Sequence, residues 1–320
     1  MDWPTKTVHA NGLDIAYAEE GEGPLVVLCH GWPELSFSWR RQLPALAAAG
    51  YRAVAPDMRG YGGTSAPDSI DAYTIFDLVG DMVALVDALG ESHAVVVGHD
   101  WGAAVAWHCA LLRPDIFRAV AGLSVPFAWR SAAAPLTLIK AAGLDTFYWL
   151  YFQTPGVAEG EFARDWSFAL RAILYGSGLR LTLAPGAGLL DGAHVPPSPP
   201  AWLREDEIAF YIETFERTGL RGGLNWYRNL DRNWALTAPW RGARISQPAL
   251  FIAGARDPVI TGVIGGPRLT AMENALPDLR GKIILPHAGH WIQQEESEAV
   301  NAALITFLRS LDGAAPPREG

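Results

Sequence analysis

The stretch AVVVGHDWGAAVAW, residues 94–107, decides how this 320-residue chain folds. Ala94–Val97 is a short apolar, mostly β-branched run. It meets Gly98-His99-Asp100-Trp101-Gly102, and an alanine-rich segment follows. A short apolar run that breaks at glycine and passes into a helical pattern is the strand-to-helix step of a parallel sheet. The same rhythm repeats on either side. PLVVLCH (24–30), YRAVAPD (51–57) and FRAVAGLSVPF (117–127) read as strands. SWRRQLPALAAAG (38–50) and DAYTIFDLVGDMVALVDALG (71–90) read as helices closed by Gly50 and Gly90. HANGLDIAYAEE (9–20) reads as a hairpin turning on Asn11-Gly12. This β-α-β-α order predicts an α/β fold with a mostly parallel central sheet flanked by helices.

The rhythm stops near residue 130. From about 131 to 239 the chain is aromatic, helical and loop-rich, and APGAGLLDGAHVPPSPPAW (184–202) reads as a loop. Strand-like segments resume in QPALFIAGARD (247–257) and GKIILPHAGH (281–290), and an amphipathic helix closes the pattern over about 295–311. The expected organisation is a core of residues 1–130 and 240–320 with a helical cap, 131–239, inserted over the sheet's active edge. Residues 312–320 read as a disordered tail.

Composition narrows the function classes. A formal charge of −9 argues against nucleic acid, which needs a basic face. Cys29 and Cys109 lie in apolar runs and read as buried free thiols. No signal-peptide pattern opens the chain, and no apolar run approaches the ~18 residues of a membrane span. A cytoplasmic protein is expected, with monomer and homodimer both left open. The eight histidines show no metal-ligand spacing, so neither metal nor cofactor is expected. Thirteen tryptophans, twelve phenylalanines and nine tyrosines predict an aromatic-lined apolar pocket.

Asp100 stands where a parallel sheet presents its functional groups, at the carboxyl end of a strand. Gly98-x-Asp100-x-Gly102 has the form of the nucleophile elbow G-x-S-x-G, with aspartate in the serine's place. The N–H groups and dipole of the helix that follows favour an ionised carboxylate there. Alone, Asp100 reads equally well as an N-cap. Its companions favour the elbow. LCHGWPE (28–34) supplies a turn that can aim the Trp32 N–H at the same point as the Trp101 N–H, an oxyanion-hole pair. Trp32-Pro33 is a candidate cis bond. Asp257 follows one late strand. His290 follows the next and is preferred to His287 because it lies beyond the strand, beside Gly289. The order Asp100, Asp257, His290 is that of nucleophile, acid and base on this kind of sheet.

With these residues in place the chain resembles the α/β-hydrolase superfamily, and within it the soluble epoxide hydrolases, over about residues 8–310. The resemblance is carried by HGWPE, APDMRGYGGTSAP, VVVGHDWGAAVAW, YWLYFQTPGVAE, GGLNWYRN, ARDPV and HAGHW. It implies an α/β-hydrolase fold and a cofactor-free enzyme that adds water to a small apolar epoxide. It also implies two ring-opening tyrosines, Tyr148 and Tyr227, with Tyr151 the rival of the first. The chemistry explains the aspartate. A serine attacking an sp³ carbon would leave an ether, whereas a carboxylate leaves an ester that water can cleave. Trp32, Phe127, Trp149, Phe152 and Trp291 are expected to line the pocket. One alternative is a dehalogenase, although many of these carry a halide-binding asparagine where this chain has Trp32. The other is a non-catalytic ligand receptor on the same fold.

Overall fold

The computed structural model describes residues 3–175, 181–262 and 265–311; the tail 312–320 lies outside them. The strands are β1 (Lys6–Ala10), β2 (Leu13–Glu20), β3 (Leu25–Cys29), β4 (Arg52–Pro56), β5 (Ala94–His99), β6 (Phe117–Leu123), β7 (Ala249–Gly254) and β8 (Leu279–Leu285). They form one sheet in the order β1-β2-β4-β3-β5-β6-β7-β8. The pairs β1/β2 and β2/β4 are antiparallel, and the other five are parallel. The β1/β2 hairpin turns on Asn11 and Gly12, both at positive φ, the backbone of a two-residue hairpin turn.

Around the sheet lie α1 (Gln42–Ala48), α2 (Ile75–Ala88) and α3 (Trp101–Leu112). Between β6 and β7 come α4 (Pro135–Ala141), α5 (Tyr148–Tyr151), α6 (Val157–Phe162), α7 (Trp166–Leu174), α8 (Glu205–Thr218), α9 (Arg221–Arg228) and α10 (Leu230–Leu236). After β7 come α11 (Pro258–Thr261), α12 (Gly265–Ala275), α13 (Ile292–Glu295) and α14 (Ser297–Leu311). None of the described helices is long and apolar enough to cross a membrane.

The central strands are apolar on both faces because both faces are covered. Val27, Cys29 and Val96 point into one core with Leu78, Met82 and Trp107 of α2 and α3. Val26, Leu28 and Val97 point into the other with Leu43 and Leu46 of α1 and Leu304 and Phe307 of α14. Burying each such side chain contributes roughly 1.5–3 kcal/mol. Cys29 and Cys109 are free and buried.

Local chemistry shifts several element boundaries from the sequence reading. The 71–90 stretch is two pieces, a 3₁₀ turn at Ile70–Tyr73 and then α2. Thr74 separates them by capping α2 in a reciprocal capping box with Asp77. The 117–127 strand stops at Leu123, because Ser124 takes φ 66°. The 38–50 helix opens as a 3₁₀ turn, Ser36–Trp39, before α1.

β3 lies between β4 and β5, so the chain leaves these neighbouring strands toward opposite edges of the sheet. Ligand sites form at such a reversal. Cys29 of β3 pairs in register with Gly98 of β5, which brings the turn His30-Gly31-Trp32 against Asp100.

Candidate active site

Asp100 sits between β5 and α3 with φ 54° and ψ −120°, a strained backbone for a side-chain-bearing residue. Such a conformation costs of order 1–3 kcal/mol and persists where the surroundings impose it. The glycines on either side make it possible. A Cβ on Gly98 would strike the Gly102 carbonyl, and one on Gly102 would strike the Cys29 carbonyl. Strand and helix therefore approach closely enough to push the Asp100 side chain out of the sheet.

The carboxylate is held asymmetrically. The Trp32 N–H donates to Oδ1 at 2.8 Å, and the Trp101 N–H also donates to the carboxylate. Oδ2 lies 3.7 Å from His290 Nε2. The Trp32–Pro33 bond is cis. On the far side of the imidazole, Nδ1 donates to Asp257 Oδ2 at 3.0 Å. Asp257 Oδ1 accepts from the Val259 N–H at 2.8 Å, which fixes this carboxylate at the head of α11. An ionised carboxylate only accepts, so the partner of Nδ1 keeps the proton there and leaves Nε2 facing Asp100. His287, the rival for the base, is exposed.

Burial and charge compete at each group. Burial pushes the Asp100 carboxyl above its ordinary value, against the pull of His290 and the two backbone N–H groups. Burial alone would raise Asp257 too, but His290 holds it low. Burial disfavours the His290 cation; Asp257 and then Asp100 reverse this and push its pKa up to about 9.

Tyr148 opens α5 and Tyr227 lies in α9, with ring centroids 5.8 Å apart. Gln153 ties the two helices by donating to the carbonyls of Trp149 and Tyr227. Burial, helped by the Asp100 charge, raises both phenols, so both keep their protons at neutral pH. Tyr151 faces elsewhere, donating to Glu161 Oε2 at 2.7 Å.

A cavity of about 720 Å³ reaches Asp100, Trp101 and Tyr148. Phe127 and Trp149 line it. Trp32, Phe152 and Trp291 are not among its lining residues, contrary to expectation. Trp32 packs on Phe152, Phe162 and Tyr227, and Trp291 packs on His290 at 4.6 Å. These rings stand behind the polar groups and hold them in place. Among the described residues no group of His, Cys, Asp and Glu could hold a metal ion.

Sequence reasoning missed a second buried pair. His99 donates from Nε2 to the His290 carbonyl at 2.8 Å, and its Nδ1 lies 2.8 Å from Glu34 Oε2. Ser124 Oγ donates to the same carbonyl at 2.9 Å. Glu34 also accepts from Ser38 at 2.7 Å, from Gln293 and from Gln294 at 2.7 Å. The available signal was a glutamate in HGWPE, directly after an apolar strand.

Residues 24–297 match the alpha/beta hydrolase fold family. Epoxide hydrolase A of Mycobacterium tuberculosis is 45% identical over 98% of this chain and 99% of its own length. The crystal structure of epoxide hydrolase A from Mycobacterium thermoresistibile superposes with a TM-score of 0.90 at 46% identity, covering 96% of this chain and 98% of that one. An epoxide hydrolase from an endophytic Streptomyces gives 0.93 at 46% identity, covering 97% and 96%. The chain belongs to the α/β-hydrolase fold family and, within it, to the epoxide hydrolases.

Proposed function

We infer that this epoxide hydrolase converts apolar epoxides to vicinal diols through an ester on Asp100. The single observation that carries the reading is the posture of that carboxylate. One oxygen is pinned by the Trp32 N–H, and the other stands beside His290 at the edge of the cavity.

In the first step Asp100 Oδ2 attacks a ring carbon and the carbon–oxygen bond breaks. The leaving oxygen takes a proton from the Tyr148 or Tyr227 phenol. General acid assistance of this kind is worth ~10²–10⁴-fold. In the second step His290 Nε2 removes a proton from water, and the hydroxide adds to the ester carbon. The negative charge develops on Oδ1, which the Trp32 N–H already holds, and the Trp101 N–H is the second donor of the pair. Each such donor is typically worth ~10²–10³ in rate. Collapse expels the diol and restores the carboxylate. Asp257 orients the imidazole and offsets its charge. We assign residues 131–239 as a cap over this edge, on a core of 1–130 and 240–320.

The test is a single turnover, with enzyme in excess over styrene oxide, in water enriched in heavy oxygen. The first diol should carry almost no label, and the peptide containing Asp100 should retain it. A fully labelled first diol would eliminate the ester and leave Asp100 an electrostatic role.

A further inference from the structure

Two phenols can protonate the leaving oxygen, and their surroundings are unequal. Burial and then the Asp100 charge raise the Tyr148 phenol, while the Trp149 indole N–H and the Tyr227 hydroxyl, facing its oxygen, oppose them. A cation stands near the same phenol: burial disfavours the Arg268 guanidinium, and Tyr148 works against that burial. Burial, Tyr148, Asp100 and Tyr61 raise the Tyr227 phenol, and the Trp101 side chain opposes them.

The backbone and its neighbours fix the Trp149 ring. Trp149 follows Tyr148 directly in α5, and the two rings meet at 65° with centroids 6.2 Å apart. Phe147 meets the indole edge-on at 5.4 Å, and the Arg268 guanidinium lies 6.0 Å from its centroid. Nevertheless Trp149 Nε1 is buried and closes no full hydrogen bond among the described residues. A buried donor in that condition is unfavourable. It gains a strong acceptor once the neighbouring phenol becomes a phenolate, because hydrogen bonds to an ionised oxygen are shorter and roughly twice as strong.

We propose that Trp149 is a positioning residue acting through Tyr148: its indole N–H holds the phenolate that ring opening creates, and Tyr148 is thereby the phenol that gives up its proton. This rests on the reading of the site as an epoxide hydrolase. The Asp100 oxygen bonds to the ring carbon, the carbon–oxygen bond of the ring breaks, and the freed electron pair takes the Tyr148 proton. The negative charge that began on Asp100 ends on the Tyr148 oxygen. The phenolate then recovers a proton at the expense of the His290 imidazolium, whose pKa of about 9 lies below that of a buried phenol. The N–H is poorly used before this step and well used during it. It therefore speeds the chemistry and does little for substrate binding.

The test is a double-mutant cycle on the alkylation step, followed by rapid quench and intact mass spectrometry with styrene oxide. Trp149 is partly buried, so Trp149→Phe should fold, which near-UV circular dichroism checks. Trp149→Leu repeats the cycle with a second side chain. Trp149→Phe should slow alkylation roughly ten- to a hundredfold, as expected for a hydrogen bond to a charged group. The same loss should appear in a Tyr227→Phe background and almost vanish in a Tyr148→Phe background, where the acceptor is gone. A loss that persists undiminished in Tyr148→Phe would make the indole a mere wall and overturn the proposal. So would a loss that disappears in Tyr227→Phe, or no loss in any background. Absence of alkylated protein from the wild type would instead overturn the epoxide hydrolase reading itself.

Discussion

At His290 two carboxylates compete with burial for one proton, and the carboxylates win. Only one of the two persists through the proposed cycle. Esterification removes the charge of Asp100 and leaves Asp257, so His290 gives up its proton more readily at the stage when a base is required. Asp100→Ala removes the same charge permanently. It should move the His290 pKa downward from about 9, since loss of a nearby negative charge disfavours the imidazolium. An NMR titration of the imidazole in wild type and variant checks this. An unmoved value would mean that Asp257 alone sets the proton affinity.

Among the elements, the elbow between β5 and α3 controls the geometry, and its tolerances differ from glycine to glycine. An added Cβ on Gly102 would meet the backbone of Cys29 and His30, which cannot yield. One on Gly31 would meet the Asp100 side chain, with Cβ at 2.4 Å, Oδ1 at 2.5 Å and Cγ at 2.8 Å. Rotation of the carboxylate cannot move that Cβ, so the Gly31 turn and the elbow must part. Gly31→Ala should therefore disturb the packing around the elbow and lose at least about a hundredfold in alkylation rate, the cost of a misplaced reacting group. Near-UV circular dichroism and single-turnover kinetics check the pair of outcomes; near-normal alkylation would show that the elbow has slack. The elbow was legible in the sequence because its glycines, its aspartate and the strand before them are contiguous. The same holds for the Asn11-Gly12 hairpin. The direction of a ring was not legible. Trp32 and Trp291 adjoin motif residues, and that nearness left open which side of the polar groups each ring would occupy. Nor was the Glu34–His99 pair, whose members lie 65 residues apart.

At the scale of the whole molecule, three separated parts of the chain meet in one buried contact. The Arg40 guanidinium donates to Glu207 of α8, to Gln294 of α13 and to the Trp202 carbonyl, so the inserted helices are anchored to the core beside the site. The insertion itself was visible as a lapse in strand rhythm, whereas this anchor, made by residues 167 apart, was not. The raised proton affinity of His290 has a consequence for traffic between the molecule and its solvent. With His290 charged at rest, ring opening consumes one proton and the imidazolium has one to give. Ester hydrolysis then liberates one proton, and the imidazole takes it back. At neutral pH the complete turnover is closed to protons. A pH-indicator dye in weak buffer, mixed by stopped flow with enzyme in excess, should stay silent through both steps. Above about 9, where His290 starts neutral, the same trace should show one proton taken up as the ester forms and returned as it is cleaved. Uptake of a full proton at neutral pH would place His290 in its neutral form from the outset.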